Sequence, residues 1–301
     1  MSTASGWSAP ANDLVAPLFV GLVDDAAVFP PGSAPLADAV PAHHEHRAAW
    51  YAPMIGPLLL PTSMITGPGV RSLATPVHGL AVGLIADTGI GRLVEAVAAA
   101  RDQGLTVAQV EAAVAKRGED PQPGLANLLE VAAALPDVDV YAETPLTAGL
   151  MTALDTIVAA RETGHRVAAK FRTGGLAAEL FPTPVELAAV ICACRDRALP
   201  FKLTAGLHRA VRHNDPETGL THHGFVNILA ATTAAVAGAE VVTVAERLAS
   251  TDAISLTEAV RGHRGRVRPL WTAFGSCSVS EPVSDLQAFG LLGPAEASSG
   301  R

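Results

Sequence analysis

The sequence predicts an α/β protein, a single (β/α)8 TIM-type barrel with a C-terminal extension. Three observations lead there. Short apolar runs alternate with longer helix-like stretches along the 301 residues, the order that builds parallel sheets. Seven such runs, and an eighth of ambiguous type, fall within about 250 residues, the usual extent of this barrel. Charged residues recur at the C-terminal ends of the runs, where a parallel barrel collects its chemistry. The expected barrel spans 14–268, and 269–301 reads as an extension packed on it with a frayed end.

Strand one is the apolar run 18–24, which finishes at Asp24-Asp25; a helix over 35–51 comes after the Pro30-Pro31-Gly32 turn. Strand two is 56–60, three leucines after Gly56-Pro57, and strand three is 79–86, ending at Asp87. An alanine-rich helix is expected over 91–103. Residues 106–114 read either as strand four, carrying Glu111, or as a helix, and periodicity does not decide between them. Strand five, 138–143, ends at Glu143, with a helix over 149–163 behind it. Strand six is 167–173. The next helix, 184–198, begins at Thr183-Pro-Val-Glu186, where threonine caps, proline fits the first turn and glutamate completes a capping box. Strand seven is 201–205, succeeded by a helix over 224–236. The β-branched run inside 240–246 reads as strand eight ending at Glu246, and a last helix covers 253–262. The stretch before Pro17 is expected to cover the barrel bottom or stay mobile, and Trp271 to Ser278 reads as ordered.

Composition narrows the function classes. Hydrophobic residues make up 49% and aromatics 4%, so alanine, valine and leucine must fill the core. A formal charge of -8 with no basic run excludes nucleic acid and anionic membrane as main partners. Cys192, Cys194 and Cys277 are too few for a disulfide framework and read as small core residues. No run reaches the roughly 18 apolar residues of a membrane span, and Met1 to Asn12 has no signal-peptide pattern. The expectation is a cytoplasmic protein acting on a small molecule, with its oligomeric state, a homo-oligomer included, left open.

The chain contains only three lysines against eighteen arginines, and Lys170 and Lys202 sit inside apolar strands six and seven. Arginine stays charged, whereas a desolvated lysine can become an amine nucleophile. Alternation puts Lys170 and Arg172 on one face of strand six, and Lys202, Thr204 and, if the strand continues, His208 on one face of strand seven. Two ammonium groups brought together in a barrel would push one pKa towards neutrality, as a Schiff-base lysine requires.

The run Lys170-Phe-Arg-Thr-Gly-Gly175, a helix, and then Lys202 resemble the deoxyribose-phosphate aldolase group of class I aldolases. The resemblance implies that Lys170 forms the carbinolamine and Schiff base, that Lys202 perturbs its pKa, and that an acid among Asp24, Glu111 and Glu143 moves protons. It calls for no cofactor and no metal, and implies a lyase acting on a small carbonyl compound. The family's phosphate-holding glycines after strand seven are replaced here by Thr204-Ala-Gly-Leu-His-Arg209, which speaks against a phosphorylated sugar. Taken whole, the chain is also similar to uncharacterised bacterial proteins, which implies no chemistry.

Substrate-binding candidates surround these lysines. Arg172 offers a bidentate group for an anionic substrate. Thr173, Gly174 and Gly175 could present backbone N–H groups, and Thr204 and His208 lie at the end of strand seven and beyond it. A rival reading places Asp87, Glu111 and Glu143 as Mg²⁺ ligands with Lys170 as base, a layout resembling the enolase superfamily. A third is an inactive barrel that binds or scaffolds. His213, His222 and His223 bracket the loop after strand seven, without metal spacing, and His43 and His46 read as a solvated helix face.

Overall fold

The computed structural model describes residues 14–73, 77–175 and 177–293. The expectations for Met1 to Asn12 and for the frayed segment Pro294 to Arg301 lie outside these described residues. Eight parallel strands close into a barrel: β1 (Val23–Asp25), β2 (Ile55–Pro61), β3 (Ala81–Ile85), β4 (Thr106–Ala113), β5 (Asp139–Glu143), β6 (Val167–Arg172), β7 (Phe201–Thr204) and β8 (Trp271–Ser276). Each strand pairs with its neighbours in sequence, and β8 closes the ring between β7 and β1. The ambiguous segment is a strand, paired on both sides, with Ile85 opposite Glu111 and Glu111 opposite Tyr141.

The eighth strand is not the run that its β-branched composition suggests. Of residues 240–246, Glu240 is the extended N-cap and the rest fall in a helix, Val241–Ala249, with Val244, Ala245 and Leu248 buried and Glu246 exposed. The Val-Val-Thr-Val run invites a strand assignment, but Val241, Val244, Ala245 and Leu248 carry helical spacing. The closing strand is Trp271–Ser276 instead, so the barrel runs past residue 268 into the segment read as an extension. Among the described residues after that strand comes one helix, Ser280–Ala288. Three helices, Phe225–Val236, Val241–Ala249 and Ala253–Arg261, therefore separate β7 from β8.

A helix that the sequence pattern does not announce, Gln122–Ala134, links β4 to β5. Pro123 and Gly124 in its first turn disguise it. Gly124 is required by packing, because a Cβ there would lie 1.8 Å from the carbonyl oxygen of Val114. The expected capping box at Thr183 and Glu186 is present in full.

Alternation divides the strands between two environments. Outward residues such as Val140, Val167, Phe171, Phe201 and Leu203 join the apolar layer beneath the helices. The ends of the ring are tied by Arg268. Its guanidinium donates to the carbonyls of Leu18 at 2.7 Å, Val20 and Gly21 at 3.1 Å, Trp271 at 2.6 Å, and also Thr272. Burial lowers its pKa to about 10. The clip fastens the entry to β8 against the segment leading into β1.

Deleting everything after Arg268 should thus open the barrel. The truncated chain is expected to lose cooperative urea unfolding and to expose apolar surface by dye binding. Cooperative unfolding like that of the full chain would mean that 269–301 is dispensable.

Candidate active site

The inward face of the barrel is polar. β1 contributes Asp24, β4 Gln109 and Glu111, β5 Tyr141 and Glu143, β6 Lys170 and Arg172, and β7 Lys202. Register aligns them: Glu143 lies opposite Lys170, and Lys170 opposite Lys202. Their charged groups form one alternating row. Arg172 donates through Nε to Glu143 Oε1 at 3.0 Å, and its Nη2 lies 3.0 Å from the same oxygen. Lys170 Nζ lies 2.7 Å from Glu143 Oε2 and 2.6 Å from Glu111 Oε2. Lys202 Nζ donates to Glu111 Oε1 at 2.6 Å and to Asp24 Oδ2. Gln109 Nε2 joins the inner acids, donating to Asp24 Oδ2 at 2.8 Å and Glu111 Oε1 at 2.9 Å.

Exposure falls along the row. Arg172 is 42% exposed, Glu143 15%, Lys170 3%, Glu111 1% and Lys202 0%. The two lysines also differ in how they are held. Lys202 makes aligned hydrogen bonds to both acids and lies 4.9 Å from the Tyr141 ring centroid. Lys170 makes ion pairs at contact distance, and Glu111 Oε2 receives no aligned donor.

Burial is the largest influence on every group in the interior, and the neighbours decide where it is overturned. Burial alone would lower both lysines, but Glu111 and Glu143 raise Lys170 above 10.5, and Asp24 and Glu111 raise Lys202. For Glu111, Lys170 and Lys202 outweigh burial and hold the carboxyl at about 2. Lys170 and Arg172 likewise overcome burial and lower Glu143. Asp24 is raised, because burial and the Glu111 charge exceed the pull of Lys202. Tyr141 is pushed up to about 12 by burial. The resting site therefore holds two ammonium groups, and Glu111 stands between them. Lys202 acts on Lys170 through that carboxylate, a correction to the expected direct repulsion of two ammonium groups.

Room for this row comes from glycines on neighbouring strands. A Cβ on Gly56 would fall 1.9 Å from Asp24 Oδ1, and one on Gly83 would fall 2.8 Å from Gln109. These two glycines and Gln109 are site determinants that sequence reasoning missed; glycine within a strand was the available signal.

The remaining candidates occupy varied positions. Thr204 lies on β7 opposite Arg172, at the mouth of the barrel. Thr173 is buried and donates to the carbonyls of Ala205 at 2.6 Å and Thr204 at 3.2 Å. Gly174 touches Gly206, where a Cβ would lie 2.8 Å from its Cα, and a Cβ on Gly175 would meet Leu180. Thr173 and Gly174 hold the loops after β6 and β7 together, and Gly175 packs within the loop after β6. β7 ends at Thr204, so His208 does not share the inward face; it lies 3.1 Å from Glu281 and 3.8 Å from the Cys277 sulfur. Asp87 is not with the other acids, since it accepts from Ser63 Oγ at 2.5 Å and Thr62 Oγ1 at 2.6 Å. The Asp87, Glu111 and Glu143 metal layout is thus not assembled, and among the described residues no group of three His, Cys, Asp or Glu could hold a metal ion.

His43 corrects another expectation. It is buried, bonded through Nδ1 to Asp25 on the outer face of β1 at 2.9 Å, whereas His46 contacts the Tyr51 hydroxyl. His223 is buried and neutral, lowered to about 4 by burial, and donates through Nε2 to the Pro182 carbonyl at 2.7 Å. It thereby anchors the loop carrying Phe181 and Pro182.

That loop borders a cleft of about 500 Å³ at the C-terminal ends of β4, β5 and β6. Lys116, Arg117, Glu143 and Arg172 line it; Lys170 lies just beyond, behind Glu143. No family model matches this chain, and no curated protein matches it.

The packing of the row makes two predictions. Gly56→Ala should cost about 1–3 kcal/mol of stability through overpacking. The penalty should shrink in an Asp24→Ala background, as read by a double-mutant cycle in urea. Glu111, whose folded pKa is about 2 against 4.5 ordinarily, contributes stability above pH 4.5 that is lost as pH falls towards 2. The contribution is on the order of 3 kcal/mol. Glu111→Gln should flatten that part of the acid unfolding profile.

Proposed function

We propose that the protein is a class I aldolase-like lyase in which Lys170 forms a Schiff base with a small carbonyl substrate. One observation carries the reading: two buried lysines on adjacent strands share a single carboxylate, Glu111, and of the two only Lys170 also contacts Glu143, a residue that lines the cleft. Lys202 is enclosed by its two acids and serves as the inner positioning group. The resemblance to deoxyribose-phosphate aldolases likewise puts the imine on Lys170, but gives Lys202 a direct effect on its pKa where Glu111 intervenes here.

The reaction conserves charge at the nitrogen. Lys170 passes a proton to Glu143, and the freed amine pair forms the C–N bond as the carbonyl π pair moves to oxygen. Glu143 returns the proton to that oxygen, giving the carbinolamine. It then takes a second proton from nitrogen and delivers it to the hydroxyl, which leaves as water. The product is an iminium with the same charge as the original ammonium, so the carboxylates that hold the ammonium also stabilise the iminium. The iminium is then the electron sink for C–C cleavage or enamine formation. Raised basicity has a kinetic cost, since little free amine exists at neutral pH.

Borohydride trapping with small aldehydes and ketones, followed by mass spectrometry, should leave a reduced adduct on Lys170. Lys170→Arg, which keeps the charge paired with Glu111 and Glu143 but forms no imine, should remain folded and give no adduct. Because Glu111 and Glu143 outweigh burial and raise the Lys170 pKa above its ordinary value, trapping should accelerate as pH rises from neutral into the alkaline range. No adduct on the peptide carrying Lys170, or total trapping unchanged in Lys170→Arg, would overturn the assignment.

A further inference from the structure

The pair made by Arg172 and Glu143 forms the boundary between the cleft and Lys170. Both side chains line the cleft, whereas Lys170 lies behind them with one contact to each of Glu111 and Glu143. Arg172 places both of its contacts on Glu143 Oε1 and leaves Oε2 to Lys170. A carbonyl compound entering the cleft therefore meets Arg172 and Glu143 before it meets the amine.

Resting on the Schiff-base reading, we propose that the substrate is a short carbonyl compound bearing an anionic group. Its anion draws Arg172 away from Glu143, uncovering Lys170 and leaving Glu143 to take the Lys170 proton. Arg172 is 42% exposed and anchored only by this carboxylate among its described contacts, so its guanidinium can exchange partners. Its planar fork suits carboxylate and phosphate alike. Lys116 and Arg117 stand on the same cleft wall; Lys116 makes no ion pair among the described residues, and Arg117 donates to the carbonyl of Glu179. Of the acids there, Glu186 is engaged in capping Thr183. Since Arg172 and Lys170 grip opposite oxygens of one carboxylate, the anion and the carbonyl must be separated by only a few bonds.

The electrostatics give the exchange its direction. Arg172 and Lys170 both favour ionised Glu143, and Glu111 from β4 favours protonated Lys170. When Arg172 turns to the substrate anion, Glu143 loses one cation and gains a negative neighbour. Both changes favour moving the proton from nitrogen to carboxylate. A nucleophilic amine is then produced where an anionic carbonyl is already bound, and neutral aldehydes meet an ammonium.

The test is the initial rate of adduct formation under cyanoborohydride with matched carbonyls: acetone against pyruvate, and glycolaldehyde against its phosphate. Each rate is divided by that of the same carbonyl with Nα-acetyl-lysine, which removes intrinsic reactivity. The anionic member should react at least about tenfold faster with the protein, and its pH profile should lie about one unit lower, the same factor expressed as pKa. The carboxylate and phosphate arms identify which anion is preferred. Arg172→Gln should erase the preference and Arg172→Lys retain part of it, with circular dichroism confirming the fold of each. Equal corrected rates in the wild type, or a preference that survives Arg172→Gln, would overturn the proposal while leaving the Schiff-base reading intact. No adduct from any carbonyl in the wild type would overturn both.

Discussion

The desolvation of two lysines inside a closed barrel is the constraint around which the structure is organised. An isolated ammonium taken out of water is several kcal/mol unfavourable, and two in proximity are worse. The chain answers with Asp24, Glu111 and Glu143, supplied by three different strands, so that every cation in the row has an anion on it. That solution dictates features at some distance from the charges. Gly56 must lack a side chain because Asp24 occupies the space, and Gln109 reaches across to satisfy the same two inner acids. Polar side chains take much of the barrel interior, with Leu59 as apolar filling beside Gly83 and Gly275, and the outward strand residues carry the apolar packing under the helices.

The row also defines a division of labour by depth. The inner segment from Lys202 to Asp24 is sealed and well hydrogen-bonded, suited to fixing position. The outer segment from Lys170 to Arg172 is less aligned and meets the cleft. Two chemically identical side chains thereby acquire different roles through their surroundings alone. Strong pairing favours the protonated form of the outer amine, and under the proposed Schiff-base chemistry the burden of activation would fall on what enters the cleft.

Much of this was legible in the sequence. The scarcity of lysine singled out Lys170 and Lys202, and period-two alternation correctly placed Arg172 with Lys170 and Thr204 with Lys202. The acids at strand ends included all three that form the row. Local patterns could not reveal what depends on tertiary placement. Asp24 and Asp25 are adjacent in sequence, yet one faces the lysines and the other faces His43 across the helix layer. Asp87 ends its strand much as Glu143 does, but its carboxylate is occupied by the loop at Ser63. Strand eight was missed because β-branched residues at helical spacing outweighed a short run with two aromatics, whose sheet partners, β7 and β1, are remote in sequence. Nor does any local pattern show that Glu111, from β4, comes between the two lysines.

The order of charges along the chain has a consequence for assembly. The first four strands carry the carboxylates Asp24 and Glu111 inward and no inward ammonium or guanidinium partner for them in the row. The last four carry Lys170, Arg172 and Lys202 with the single carboxylate Glu143. Each half-barrel is thus left with an interior imbalance opposite in sign to the other's. Neither half is a self-sufficient folding unit in electrostatic terms, and each is a template of complementary charge for its counterpart.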